Sequence, residues 1–142
     1  MENPVEEKSF SFALEIVKMY KILSAEKKEF VLSKQILRSG TSIGANISEA
    51  QQAQSKADFT SGMNIAIKEA NETRYWLRLL CDSGFPDQNE ALRFLGKVDE
   101  LIRLLTAIVI KSKTKSRKVN MVIFNFQFSI FNYLETLWIS EI

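Results

Sequence analysis

Apolar residues recur every three to four positions in four successive stretches of this chain, the spacing of helices that each bury one face. The first stretch runs from Glu6 to Leu23, with Phe10, Leu14, Val17 and Met19/Tyr20 at helical spacing, and Ser24-Ala-Glu-Lys27 reads as a turn. The second runs from Glu29 to Gln52 and is the most regular, with Leu32, Ile36, Gly40, Ile43, Ile47 and Ala50 in one line. Gln51-Gln-Ala-Gln54 is its polar exit. The third opens at Ser55, where Asp58 three residues on resembles a capping box. Its line is Phe59, Met63, Ala66, Ala70/Asn71, Thr73, Leu77 and Leu80, with Ile65, Trp76 and Leu79 on another face. Gly84 suits the left-handed position that ends a helix, and Pro86 cannot continue one. The fourth opens at Asp87, with Glu90 three residues on. Ala91, Leu95, Val98, Ile102, Leu105 and Val109 form one apolar line, and Phe94, Leu101, Leu104 and Ile108 form another.

Short links between long helices make sequential neighbours antiparallel. The pattern predicts an all-α fold: an antiparallel up-down-up-down four-helix bundle over residues 5–114, followed by an extension over 115–142. The third and fourth helices carry more apolar surface than one seam requires, so copies are expected to associate. Trp76, Leu101, Leu104 and Ile108 are the residues on which this expectation rests.

The stretch Arg38-Ser-Gly-Thr-Ser-Ile-Gly-Ala-Asn-Ile-Ser-Glu49 stands out inside the second helix. Each interior glycine costs about 1 kcal/mol relative to alanine. Small residues justify that cost where another backbone comes close, which marks this segment as the tightly packed centre of the bundle.

The extension has a different character. Phe124-Asn-Phe-Gln-Phe-Ser-Ile130 alternates like a strand, yet Met121, Phe124, Phe128, Phe131, Leu134 and Trp138 also fall near one helical face. A docked strand, a short helix and a loose extension all fit. Asn120, Asn125, Gln127 and Asn132 make it a poor transmembrane span. Its uncharged aromatic run needs covering if it is not to aggregate.

Composition narrows the function. The 142 residues suit one domain, and 46% hydrophobic with 25% charged residues is globular. The chain has no histidine, which removes the commonest general base and metal ligand. Catalytic residues, a metal and a cofactor are not expected. The lone Cys81 excludes an internal disulfide and suits a reducing cytoplasm, and no signal-peptide pattern opens the chain. The net charge of +2 conceals an asymmetry: Lys111, Lys113, Lys115, Arg117 and Lys118 fall within eight residues, whereas the chain before them holds 14 basic and 15 acidic residues. This run is the foremost candidate for binding nucleic acid, with Lys18, Lys21, Lys27, Lys28, Lys34 and Arg38 as a second basic surface.

The polar residues of the bundle read mainly as structural. Asn46 is expected to bond across the bundle and fix helix register. Glu69 and Glu72 lie one turn apart, and Arg38 can reach a carboxylate across helices. Glu49 joins them as a carboxylate, but without histidine the Glu-x-x-His metal template of helical bundles fails. Ser39, Thr41 and Ser42 are nucleophile types without a base, better explained by a close crossing.

The segment Arg38–Glu49 resembles the RxxxSIxxNIxE signature of the four-helix-bundle proteins encoded in intervening sequences of bacterial 23S ribosomal RNA genes, on Arg38, Ser42, Ile43, Asn46, Ile47 and Glu49. Ser55-Lys-Ala-Asp-Phe59, Met63, Ile65, Ala66, Lys68, Glu69 and Glu72-Thr-Arg-Tyr-Trp-Leu77 are similar to the family's third helix. The likeness spans residues 8–114. Ala50 departs from the glycine the family often has after the signature Glu. The resemblance implies an antiparallel bundle assembled as a homopentamer, and kinship with the basic, nucleic-acid-binding accessory protein of diversity-generating retroelements. A protein partner is the rival expectation, met by the apolar faces and the tail.

Overall fold

The computed structural model describes residues 3–84 and 88–140, with side chains as far as residue 131. Four helices account for it: α1 (Pro4–Ala25), α2 (Leu32–Ala50), α3 (Lys56–Asp82) and α4 (Gln88–Ser140). The chain divides into two units, Met1–Val109 and Ile110–Ile142.

The first unit is an antiparallel four-helix bundle. Gly40 and Gly44 of α2 approach Ile16 and Ser9 of α1 in descending order. Ser39 meets Thr73 while Ala50 meets Gly62, which reverses α3 against α2. Lys8 pairs with Glu100 at 2.7 Å, and Glu15 with both Arg93 and Lys97, which reverses α4 against α1. Arg74 reaches Asp99 at 2.8 Å and ties α3 to α4. Up-down-up-down topology follows, as the link lengths predict.

α1 begins with Pro4 in its first turn, where a missing N–H costs nothing, and Glu6 and Glu7 complement the helix dipole. Its buried line is Val5, Ser9, Phe12, Ile16, Met19 and Leu23. Met19 of the expected line is buried, but the rest of that line is corrected: Phe10 is 66% and Leu14 49% exposed. Both lines have helical spacing, so periodicity alone does not choose between them. The neighbours choose, because Ile16 fills the space over Gly40 and Phe12 meets the Phe94 ring edge-on with centroids 6.2 Å apart.

α2 starts at Leu32, three residues beyond the expected start. Lys28 takes a left-handed backbone (φ 55°), and the Glu29 carboxylate turns back to accept from the N–H groups of Val31, Leu32 and Ser33 at 3.0, 2.8 and 2.7 Å. Glu29 thus satisfies three amides that the helix leaves open. Burial alone would raise its pKa, but these bonds and that of the Ser33 hydroxyl outweigh it and hold the carboxyl below its ordinary value. The expected line of α2 is otherwise correct: Ile36, Gly40, Ile43, Ile47 and Ala50 are buried and Leu32 is half-buried.

The small residues of α2 do allow close crossings. A Cβ on Gly40 would stand 3.1 Å from both Cγ atoms of Ile16, and one on Gly62 would stand 2.7 Å from Ala50 Cβ. Buried hydroxyls are paired: Thr73 donates to Ser39 at 2.9 Å and Ser39 to the carbonyl of Gln35 at 2.9 Å. Among the described residues no buried polar side-chain atom lacks a partner.

α3 opens as expected, with Ser55 Oγ accepting from the Asp58 N–H at 3.1 Å, and its last residue, Asp82, is followed two positions on by Gly84 with φ 90°. The expected cap at Asp87 lies outside the described residues. Of the four side chains on which self-association rested, Leu101 is sealed in the core, a correction, while Trp76, Leu104 and Ile108 are half-buried. The Val119–Ser140 segment is helical, so the alternating apolar pattern does not form a strand. An isolated alternating segment has no neighbour to take its backbone bonds, whereas a helix satisfies them internally. Among the described residues no helix is long and apolar enough to cross a membrane.

Candidate functional site

Two groups of residues stood out in the sequence: the signature around α2 and α3, and the basic run in α4. The structure brings part of the first together. Arg38 bonds Glu72 and lies 3.5 Å from Glu69, so one guanidinium spans two carboxylates a turn apart on α3. Trp76 adds a contact that spacing did not reveal, donating its indole N–H to Glu72 at 3.2 Å. The Arg38 bond, with help from Trp76, holds the Glu72 carboxyl below its ordinary value. Arg38 is half-exposed, so the group is a rim contact between helices and contributes modestly to stability.

The other signature residues do not converge on it. Asn46 donates to the carbonyl of Ser42 at 2.8 Å, within its own helix. That corrects the cross-bundle bond expected for it: the short amide reaches the carbonyl one turn back in its own helix. Ser42 donates likewise to the Arg38 carbonyl at 2.7 Å, and Thr41 to that of Leu37 at 2.7 Å. These hydroxyls are engaged by backbone, and none faces a base. Glu49 is exposed. It lines, with Asn46, Gln52, Asp58 and Ser61, an open cleft of about 430 Å³ where α2 turns into α3. Among the described residues no cluster of metal-ligating side chains occurs.

Two features escaped sequence reading. One is the Glu29 cap, for which the start of the apolar line at Leu32 was the available signal. The other is Glu15, which receives both Arg93 and Lys97. Burial raises its carboxyl, but bonds from Lys97 and Arg93 outweigh it and lower the pKa. Arg93 also lies 4.7 Å from the Phe94 ring centroid, a cation–π contact at the α1–α4 edge.

The basic run lies on the helical segment that follows Val109. Lys111, Lys113, Lys115, Arg117 and Lys118 are all exposed. Among the described residues none of the five is paired with a carboxylate, and the sequence contains no Asp or Glu between Glu100 and Glu135. At 100° per residue Lys111, Lys115 and Lys118 share one face, and Lys113 and Arg117 share another. The three-lysine stripe is about 10 Å long at the helical rise of 1.5 Å per residue. Of the second basic surface, Lys18, Lys21, Lys27, Lys28 and Lys34 are exposed. Arg38 is committed to Glu69 and Glu72.

The family model described as "23S rRNA-intervening sequence protein" matches residues 1–107. The chain belongs to that family. A solved structure, described as a protein of unknown function from the S23 ribosomal protein family of Bacteroides thetaiotaomicron VPI-5482, is 54% identical, with a TM-score of 0.73. The match covers 74% of this chain and 97% of that one. No curated protein matches. The family match ends at residue 107, before Lys111, so the basic run and the apolar helix after it lie beyond the shared bundle.

Proposed function

We propose that this chain is a non-enzymatic, oligomeric four-helix-bundle protein that binds nucleic acid through the basic run Lys111–Lys118. The observation that carries the reading is a helix face with Lys111, Lys115 and Lys118 exposed and a sequence free of acidic residues from 101 to 134. Cations without carboxylate partners retain their full attraction for phosphate and release counterions on binding. Lysines on a helix position a phosphate backbone without reading bases, so the protein binds RNA or DNA with little sequence preference.

Oligomerisation has its own support. Ile65 (45%), Tyr75 (60%) and Leu79 (40%) leave an apolar face on α3, and Phe10 and Leu14 leave one on α1. Faces of this kind suit subunit contacts. With the resemblance to pentameric relatives, they support a homopentamer, in which five basic runs act multivalently. Its single half-buried Cys81 fits a reducing cytoplasm. A second reading, a protein-interaction adaptor, draws on these same exposed faces and on Phe124, Phe126 and Phe128, each more than half exposed.

The test is fluorescence anisotropy with labelled RNA and DNA duplexes, comparing the full chain with its Lys111→Gln/Lys115→Gln/Lys118→Gln variant at low salt. Loss of most of the affinity in the variant supports nucleic-acid binding. Equal affinity, or none in either protein, leaves the adaptor reading. Light-scattering mass decides the pentamer independently.

A further inference from the structure

The corner between α1 and α2 spends one of its acids on the backbone and leaves its cations free. The Glu29 carboxylate is taken up by the first amides of α2. Backbone bonds close the turn: the N–H groups of Glu26 and Lys27 reach the Ile22 carbonyl at 2.9 and 3.4 Å, and that of Glu29 reaches the Leu23 carbonyl at 2.9 Å. Val31 donates its N–H to the Glu29 carboxylate at 3.0 Å, so both neighbours of Phe30 are tied down. Yet Phe30 is 56% exposed and Val31 72%. Lys27 and Lys28 precede the ring, Lys34 follows it in the first turn of α2, and Lys21 lies near the end of α1; all four are exposed. Among the described residues none of the four is paired with a carboxylate. Glu26 is the corner's one exposed acid, so cations prevail there.

We infer that this corner is a second nucleic-acid site, one that takes a single strand by stacking an unpaired base on Phe30 while Lys27, Lys28 and Lys34 meet the flanking phosphates. An exposed ring among free cations suits a nucleotide better than an apolar protein groove. A groove closing over Phe30 would strip water from the lysines and give them no counter-charge. A nucleotide supplies both needs, a π face for the ring and a phosphate for the ammonium groups. The tied backbone also means that little freedom is lost when the ring is used. A duplex offers phosphates but keeps its base faces stacked inside, so the ring favours the single strand. Every base has a π face, so the site reads little sequence. The inference rests on the chemistry of the nucleic-acid reading above but on none of its residues, which belong to the other unit of the chain.

Fluorescence anisotropy at low salt tests it, with a labelled oligouridine and an RNA duplex. The variants are made in full-length chains carrying Lys111→Gln/Lys115→Gln/Lys118→Gln, so that the basic run does not mask the corner. Phe30→Leu keeps an apolar side chain and loses the ring, Phe30→Tyr keeps the ring, and Lys27→Gln/Lys28→Gln removes two cations. Phe30→Leu should bind oligouridine about tenfold more weakly, the size of one lost stacking contact, and bind duplex unchanged. Phe30→Tyr should bind both as the background does. The lysine pair should flatten the salt slope on oligouridine by about 1.4 units. Background chains that do not bind oligouridine, undiminished binding by Phe30→Leu, equal loss in Phe30→Tyr, or equal loss on duplex each overturn the inference. So does a lower light-scattering mass for Phe30→Leu with undiminished oligouridine affinity, which assigns the ring to a subunit contact. A ring-dependent loss on oligouridine supports the corner even where duplex affinity proves indifferent to Lys111, Lys115 and Lys118, the result that ends the basic-run reading, so the two fail separately.

Discussion

Gly62→Ala puts a methyl group where α3 crosses α2. On the present backbone it would lie 2.7 Å from Ala50 Cβ and 3.4 Å from Ala50 Cα. Carbon atoms prefer about 3.5–4.0 Å, and Ala50 has no flexible side chain to move aside. The helices must therefore separate locally, and overpacking of this kind costs about 1–3 kcal/mol. The substitution also removes a mid-helix glycine, which on its own stabilises by about 1 kcal/mol. The crossing outweighs the propensity, and the net expectation is a loss of about 1 kcal/mol. Ala50→Gly removes the opposing methyl, so the double variant should recover stability that the two single effects do not predict. The coupling should be at least about 1 kcal/mol, within the range seen for residues in contact. Urea unfolding followed by far-UV circular dichroism reads it, at one fixed protein concentration because association shifts apparent stability. If Gly62→Ala stabilised the protein by about 1 kcal/mol and added independently to Ala50→Gly, the close crossing would be refuted.

Other substitutions probe different parts of the bundle. Glu29→Gln should lose about 1 kcal/mol at neutral pH, as for a lost helix cap. Because folding lowers the Glu29 pKa, its contribution is complete above the ordinary glutamate range and fades as pH falls through the folded value, so parent and variant should converge in acid; a gap that persists there contradicts the assignment. Phe94→Ala empties the space against Phe12 and should cost about 3–5 kcal/mol in denaturant titration. A double-mutant cycle on Arg38 and Glu72 should give about 0.2–1 kcal/mol of coupling, since the pair is solvent-exposed; several kcal/mol would show that the bundle treats it as buried.

Long periodic stretches made the four helices legible, and the glycines of α2 located the tight crossings. The register of α1 was legible only at Met19, because Phe10-Leu14-Val17 and Phe12-Ile16-Met19 have equivalent spacing and Gly40 and Phe94, distant in sequence, choose between them. The Asn46 bond was misread because a polar residue near a core has both local and cross-bundle acceptors, and sequence does not rank them. A bond from Arg38 to a carboxylate across helices was anticipated, but which carboxylate takes it was not, and Trp76 joined Glu72 through an indole N–H that apolar spacing does not register. Lys111, Lys113, Lys115, Arg117 and Lys118 were visible as charge, but their exposure, and the lack of carboxylate partners among the described residues, required the structure.

If these cations meet phosphate, the slope of log Kobs against log salt for the full chain on duplex reads the contact. Three to five neutralised phosphates per basic run predict a slope of about −3 to −4.5. Replacing Lys111, Lys115 and Lys118 by Gln should flatten it by about 2.7 units on the same scale. A slope near zero, or one that the three substitutions leave unchanged, would mean that these lysines do not meet phosphate.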